Sequence, residues 1–151
     1  MLDYTSFRSL VTNAPLISID LIVYNRNSEV LLGKRSNAPA NGYYFVPGGR
    51  IYKNERLESA FSRICLSELG DSVYISSAKM LGVYEHFYDD SFFGADINTH
   101  YIVLAYELIN DYDLSKLPKT QHNDYDYMNK SEILKSKFVH HYTQQYFVQK
   151  V

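Results

Sequence analysis

The chain has 151 residues, of which 46% are apolar, so it is long enough to form one domain with a substantial core. Its formal net charge of −2 gives no indication of a nucleic-acid or membrane surface, and no stretch approaches the roughly 18 apolar residues of a membrane span. Cys65 is the single cysteine, which excludes an internal disulfide, and the first residues show no signal-peptide pattern. We expect one cytoplasmic enzyme or binding domain over residues 1–151.

Hydrophobic periodicity predicts helices and strands in alternation. Apolar residues alternate with others from Leu16 to Tyr24, which is typical of a strand with one buried face. The predicted elements, in chain order, are a helix over 3–12; strands over 16–24, 29–34 and 43–46; a helix between 54 and 70; strands over 73–76, 80–88, 98–108 and 124–128; and a helix in one or two pieces over 131–150. This order predicts an α/β (α+β) sandwich.

The stretch PGGRIYKNERLESAFSRICLSELG, residues 47–70, combines a glycine pair with a helical pattern. Gly48 and Gly49 suit a loop that takes unusual backbone angles or approaches a ligand closely. Asn54 is a suitable N-cap for the helix that follows, and Gly70 suits the position after its end. We therefore predict a glycine loop followed by a helix.

The predicted helix carries an acid on its apolar side. Leu57, Ala60, Phe61 and Ile64 form one stripe at helical spacing, and Glu68 falls on the same stripe. A buried carboxylate costs several kcal/mol unless it is paired. A metal ion is one candidate partner, and pairing with an arginine or escape to solvent is the other.

Basic residues and histidines supply further candidates. Arg35 and Arg50 bracket the glycine pair and suit phosphate oxygens, although surface arginines have the same pattern. Arg63 is equally suited to brace the loop through Glu55. His122 lies in a polar loop before a predicted short strand, and histidine is the most natural general base near neutral pH.

The same stretch resembles the box of the Nudix hydrolases. The matching positions are Gly49, Glu55, Arg63, Glu68 and Gly70. Ile64 and Ser67 stand where that family usually has glutamate. With Glu68 alone left of the three acids, the resemblance implies one Mg²⁺ ion rather than a cluster, and attack of water on phosphorus would need another base.

Over residues 15–127 the chain resembles the GDP-mannose mannosyl hydrolases within the Nudix group. The stretches that carry this resemblance are PLISIDLIVYN, LLGKRSNAPANGYYFVPGGR, SRICLSELG, YEHFYDD, THYIVLAYE and TQHNDY. It implies a Nudix fold with a mixed sheet between helices and a homodimer. It also implies Mg²⁺-dependent cleavage of GDP-mannose or GDP-glucose to GDP and free sugar, with attack of water at the anomeric carbon and inversion.

The resemblance also implies a role for individual residues. The Gly48 carbonyl, the Glu68 carboxylate and the Gln121 side chain would hold Mg²⁺, and His122 would be the general base. Arg35, Arg50 and Asp20 would assist, the arginines at the departing GDP and Asp20 at the sugar. The other implied substrate contacts or supports are Leu2, Asp3, Phe7, Arg63, His86 and Tyr101.

Two alternatives remain open at this stage. A Nudix pyrophosphatase would attack phosphorus with a replacement carboxylate, for which Glu55, Glu58 and Glu85 are candidates. A nucleotide-sugar binding domain would retain the fold without the chemistry.

Overall fold

The computed structural model describes residues 1–149 and contains a seven-stranded mixed sheet with helices on both faces. The strands are β1 (Leu16–Tyr24), β2 (Val30–Arg35), β3 (Tyr44–Phe45), β4 (Gly48–Arg50), β5 (Lys79–Tyr88), β6 (Thr99–Ile109) and β7 (His122–Met128). The α-helices are α1 (Tyr4–Asn13), α2 (Leu57–Leu69), α3 (Lys130–Lys135) and α4 (His141–Gln144), and short 3₁₀ helices span Ile75–Ser77, Leu114–Lys116 and Gln145–Phe147. None of the helices within residues 1–149 is long and apolar enough to cross a membrane.

Strand β1 is the point at which the sheet divides. On one edge it runs parallel to β6 along its whole length, from the pair Leu16–Tyr101 to the pair Tyr24–Ile109. On its other edge it pairs first with β4 and then, at Tyr24 alone, with β2. The remaining strand order is β3-β2-β1-β6-β5, with β7 beside β2. The split leaves a gap along β1, and this gap positions the candidate site.

The two faces of β1 support two separate cores. Ile19, Leu21 and Val23 alternate toward α2 and pack with its apolar stripe. Ile22 faces the other way and packs with residues of α3 and the C-terminal 3₁₀ helix, including Phe147. The predicted sandwich of a mixed sheet between helices is therefore confirmed.

Helix α2 ends as predicted but begins later than predicted. Gly70 adopts φ 71° after the last turn, and its N–H donates to the Leu66 carbonyl. The predicted N-cap was wrong, because Asn54 has φ 65° in the preceding turn and Arg56 occupies the cap position. Asparagine tolerates this left-handed conformation better than most residues, which explains its place in the turn.

Four other predictions about the elements differ from the structure. No strand forms over 73–76, where the chain instead enters the 3₁₀ helix Ile75–Ser77, and the glycine pair belongs to a short strand rather than to a free loop. Strand β7 begins at His122, two residues before its predicted start. The predicted C-terminal helix is broken into α3, α4 and a 3₁₀ turn, with Asn129 and His140 as side-chain caps, and its predicted end at Lys150 lies outside the described residues.

Candidate functional site

A cavity of about 640 Å³ opens where β4 and β2 separate along the edge of β1. Its walls come from α1, from the sheet, from the last turns of α2, and from the loops around residues 37–39, 91–93 and 120–121. This volume is in the range of small-molecule sites. The predicted site residues on its wall are Leu2, Phe7, Asp20, Arg35, Gly48, Arg50, Arg63, Glu68, His86, Tyr101 and Gln121.

Two predicted site residues do not line this cavity. The carboxylate of Asp3 caps α1, where it accepts hydrogen bonds from the Ser6 amide at 2.9 Å and the Ser6 hydroxyl at 2.8 Å. His122 lies behind the wall, next to Gln121, which is on it. Direct contact of either residue with a ligand in the cavity would therefore require a change in conformation or a second copy of the chain.

Glu68 points inward from the last turns of α2, as its place on the apolar stripe predicted. Its side chain is 4% exposed. Burial raises the pKa of Glu68 to about 7, and the positive charge of Arg35 partly opposes this rise. A carboxylate in this environment either takes up a proton or gains a cation.

The imidazole of His122 lies beside that carboxylate. Its Nδ1 atom lies 3.5 Å from Glu68 Oε2, but burial lowers the pKa of His122 to about 4. Because burial keeps His122 neutral near pH 7, this contact gives Glu68 no positive charge as a partner. Among the described residues, neither ring nitrogen of His122 has a hydrogen-bond partner.

Gly33 makes room for this histidine. A Cβ atom at Gly33 would lie 2.6 Å from His122 Cγ and 2.7 Å from its Cδ2. Such an approach is far inside van der Waals contact, so glycine is required at this point of β2 for the ring to occupy its position. The close packing of β2 against β7 thus allows the imidazole to lie beside Glu68.

Gly48 likewise leaves space for the side chain of Asp20. A Cβ atom at Gly48 would lie 2.6 Å from Asp20 Oδ1. The Leu21 amide donates to the Pro47 carbonyl at 2.8 Å, so the adjacent Asp20–Gly48 pair is a non-hydrogen-bonded pair of the antiparallel ladder. The Gly48 carbonyl therefore points away from β1 and makes no hydrogen bond to it.

Asp20 is held from its other side by the C-terminal segment. The Tyr146 hydroxyl donates to Asp20 Oδ2 at 2.5 Å. Burial raises the pKa of Asp20 to about 6, while this hydrogen bond and the charge of Arg35 oppose the rise. Nearby, His86 stacks on Tyr142 at 4.3 Å, and burial lowers the pKa of His86 to about 4.

The three arginines on the wall have different partners. The Arg63 guanidinium pairs with Glu55 at 2.6 Å and donates to the Arg50 carbonyl at 2.8 Å, so it braces the segment between β4 and α2. Arg35 donates to the Pro39 carbonyl at 2.8 Å, and Arg50 lies over the Phe7 ring at 4.3 Å. Within residues 1–149, no carboxylate forms an ion pair with Arg35 or Arg50, which leaves both charges available to an anion.

Sequence reasoning missed an aromatic wall beside Arg50. Phe93 packs edge-on against Tyr4 at 5.0 Å and against Phe7 at 5.2 Å, and Tyr52 lies under Arg50 on the other side. The pair of phenylalanines in the loop SFFG, residues 91–94, was the available signal, since adjacent aromatic residues in a loop suggest a contact surface. Flat rings of this kind suit a nucleobase.

A sequence profile for the NUDIX domain matches residues 14–149. The chain belongs to the Nudix hydrolase family. The low-salt glycan biosynthesis protein Agl8 of Haloferax volcanii is 43% identical over 117 residues, which are 78% of this chain and 72% of that protein.

Solved Nudix structures share the fold at low identity. The MutT protein of Methanosarcina mazei Go1 superposes with a TM-score of 0.72 at 21% identity, covering 89% of this chain and 92% of that one. A MutT NUDIX hydrolase of Burkholderia pseudomallei has a TM-score of 0.71 at 22% identity, covering 92% and 100%. The NUDIX domain of Shewanella oneidensis NrtR, solved with ADP ribose, has a TM-score of 0.65 at 18% identity, covering 96% of each chain.

Several box positions of this Nudix domain lie together on the cavity wall. Ile64, Ser67 and Glu68 all line the cavity, so the two positions that lack their usual glutamates face the site rather than solvent or core alone. Within residues 1–149, no group of three or more His, Cys, Asp or Glu side chains is placed to hold a metal ion. A site of the usual carboxylate-rich kind is therefore not present in the described chain.

A single divalent ion nevertheless fits the residues of this Nudix domain. Nudix hydrolases generally use a divalent metal such as Mg²⁺, which prefers oxygen ligands and retains positions for water and phosphate. Glu68 is a buried carboxylate that lacks a full counter-charge, Gln121 offers an amide oxygen on the wall, and the Gly48 carbonyl turns away from its ladder. These are hard oxygen donors, and their small number suits an ion whose other ligands are substrate and water.

Proposed function

We propose that this Nudix domain hydrolyses a GDP-sugar, GDP-mannose or GDP-glucose, to GDP and free sugar with one Mg²⁺ ion. Water attacks the anomeric carbon, and the configuration inverts. The observation that carries the proposal is the wall of box residues, where Glu68 is acidic and Ile64 and Ser67 are not. The similarity to a protein named for glycan biosynthesis supports a nucleotide sugar as the substrate.

The placement of the other acids favours carbon over phosphorus as the point of attack. Asp20 and Glu68 are the acidic side chains among the described residues of the wall. Of the candidate replacement bases, Glu55 is held by Arg63, and Glu58 and Glu85 are exposed away from the cavity. An attack on phosphorus would thus lack both the usual metal cluster and a spare carboxylate.

Arg35 and Arg50 bind the diphosphate in this proposal. Departure of GDP places additional negative charge on the diphosphate, and positive groups that are already oriented stabilise that charge where it develops. Glu68, Gln121 and the Gly48 carbonyl hold the Mg²⁺ ion, which when bound neutralises charge on the leaving group. Arg63 supports Arg50 through the hydrogen bond to its carbonyl.

His122 removes the proton of the attacking water. Its lowered pKa keeps the imidazole neutral at pH 7, which is the form that accepts a proton. The ring must turn out past Glu68 when substrate binds, and its neighbour Gln121 already stands on the wall. Asp20 faces the sugar, where a carboxylate stabilises the positive charge of an oxocarbenium-like transition state.

The base end of the substrate is assigned to α1 and the aromatic wall. Phe7 and the rim residue Leu2 contact guanine, and Tyr101 and His86 support the wall near Asp20. Because the side chain of Asp3 is used as a helix cap, its contact with guanine is through the backbone. A homodimer, in which this exposed end meets a second copy, is part of the proposal.

Product analysis in ¹⁸O-labelled water tests the proposal. Incubation with GDP-mannose and Mg²⁺ is expected to yield GDP without label and mannose with label, and NMR of the first turnovers identifies the anomer formed. GMP and sugar 1-phosphate, with label in a phosphate, would show attack at phosphorus instead. Tight Mg²⁺-dependent binding of GDP-mannose without any turnover would identify a binding domain.

A further inference from the structure

The Tyr146 side chain lies outside the cavity but contacts a residue that lines it. It is 7% exposed, and it is carried by the 3₁₀ helix Gln145–Phe147, the last such element before the end of the described chain. Its hydroxyl donates to Asp20 Oδ2 at 2.5 Å across a separation of 126 residues. Tyr146 can therefore act on a ligand in the cavity through Asp20, and His86 is a second wall residue that its hydroxyl approaches.

A chain of three rings, two of them buried, holds this hydroxyl in place. His86 Nε2 lies 3.4 Å from the Tyr146 hydroxyl, and His86 Nδ1 lies 3.3 Å from the Tyr88 hydroxyl. One set of hydrogen-bond directions gives each donor its own acceptor. In it, the Tyr88 hydroxyl donates to His86 Nδ1, His86 Nε2–H donates to the Tyr146 oxygen, and the Tyr146 hydroxyl donates to Asp20. This assignment requires a neutral His86, which its burial favours.

The imidazole at the centre of this chain has little freedom to turn. Its ring lies on the Tyr142 ring with an interplanar angle of 11°. Tyr142 is itself tied to β5, because its hydroxyl donates to the Phe87 carbonyl at 2.9 Å and accepts from the Phe87 amide at 2.8 Å. The donor to Asp20 thus belongs to a rigid layer built from β5 and the C-terminal segment.

The two oxygens of Asp20 have different surroundings. Oδ2 accepts the proton of Tyr146, whereas Oδ1 stands over Gly48, where the missing Cβ leaves space. Asp20 contributes to the cavity wall. A carboxylate tied through one oxygen cannot rotate freely, so its other oxygen is held in one direction.

We propose that Tyr146 is a positioning residue, which ties Oδ2 of Asp20 so that Oδ1 meets the sugar of the bound nucleotide sugar. The inference rests on the proposed function for the identity of the ligand, but the coupling between Tyr146 and Asp20 can be measured for any ligand of the cavity. The C-terminal segment thereby becomes part of the site, although none of its residues up to position 149 lines the cavity.

A double-mutant cycle tests the proposal. Tyr146→Phe removes the hydroxyl and retains the ring. We expect kcat to fall by about 10-fold or more, the effect of losing a hydrogen bond to a charged group, with a smaller but measurable loss, of about three-fold, in the affinity for GDP-mannose. Asp20→Ala removes the acceptor. In the Asp20→Ala background, Tyr146→Phe is expected to cause no further loss, because Tyr146 acts only through Asp20.

Tyr44→Phe is the matched control. The Tyr44 hydroxyl donates to Asp124 at 3.0 Å, so the change also removes a tyrosine–aspartate hydrogen bond, but neither residue lines the cavity. Tyr44→Phe is expected to retain wild-type kcat and KM. Thermal unfolding of every variant separates a change in stability from a change in turnover.

The cycle decides the proposal whatever the reaction proves to be. If the products are GMP and sugar 1-phosphate, the proposed function fails, and the coupling is read on that turnover. If no turnover occurs, or if Asp20→Ala abolishes it, the coupling is read from calorimetric affinities for GDP-mannose. Tyr146→Phe with wild-type kinetics and affinity, or with the same loss in both backgrounds, would overturn the positioning role.

Discussion

Replacement of Glu68 by glutamine tests two things separately: the free energy that burial of this carboxylate costs the fold, and the proposed role of Glu68 as a metal ligand. Burial raises the pKa of Glu68 from 4.5 to about 7. Since each pKa unit corresponds to 1.36 kcal/mol, the charged form destabilises the metal-free fold by about 3 kcal/mol. The folded state holds the proton more tightly than the unfolded chain. This carboxylate therefore imposes no cost below pH 4.5, and the cost grows until pH passes about 7.

Without divalent ions, Glu68→Gln is therefore expected to be more stable than the wild type at pH 8 by up to about 3 kcal/mol, and equal to it at pH 4. In a chain of this length, that difference corresponds to about 6–12 °C in melting temperature. Mg²⁺ is expected to reverse the order, because it binds and stabilises the wild type but not the variant. Glutamine cannot supply the negative charge that the ion requires.

The measurement is thermal unfolding of both proteins at pH 4, 6 and 8, first in chelator and then across a Mg²⁺ titration. Glu58→Gln is the matched control, because Glu58 lies on the same helix with its side chain 65% exposed, and it is expected to follow the wild type. A less stable Glu68→Gln protein in chelator at pH 8 would refute the burial argument. Equal stabilisation of wild type and variant by Mg²⁺ would refute the ligand role.

Three further predictions follow from contacts in the cavity and its supports. His122→Ala is expected to lower kcat by about 10²–10⁴-fold with little change in the calorimetric affinity for GDP-mannose; equal loss of both would make His122 structural. Gly33→Ala is expected to reduce stability by about 1–3 kcal/mol in denaturant unfolding and to lower kcat, because its Cβ would lie 2.6 Å from His122 Cγ; unchanged kcat would show that the ring position is unimportant. Glu55→Gln is expected to lower the melting temperature at pH 7 and to match the wild type near pH 3, since pairing with Arg63 lowers the pKa of Glu55 and its contribution is lost as pH falls; a difference that persists at pH 3 would contradict this.

The fold could be predicted where one residue pattern decides one element. The alternation over Leu16–Tyr24 marks β1 with its observed bounds, and helical spacing places Glu68 on the buried face of α2. The prediction failed where the local structure depends on a partner that is distant in the sequence. Gly48 and Gly49 have no side-chain pattern, and they form a strand because β1 offers a free ladder beside them. The predicted start of α2 was too early because asparagine suits a turn as well as a helix cap, and Asn54 lies in the turn.

The site could be predicted only in part, for the same reason. Sequence periodicity directs Glu68 inward, but its contact with His122 depends on the packing of β7 against β2 at Gly33. Tyr146 was missed because nothing distinguishes it among 15 tyrosines, and its partner Asp20 lies 126 residues away. A contact of this kind depends on how the C-terminal segment folds over β5, which no local pattern describes.

Ile64 shows that the absence of an acid at its box position is part of the packing of the core. It is 1% exposed and belongs to the core under α2, and a Cβ atom at Gly49 would lie 3.0 Å from its Cγ1. A glutamate at this position would place a second buried charge near Glu68, whose own burial already favours its neutral form. With Arg63 paired to Glu55, Arg35 and Arg50 are the arginines of the described wall that remain available to an anionic ligand. In the proposed reaction these two arginines would stabilise the diphosphate as it departs, and a neutral histidine would take the proton of the attacking water.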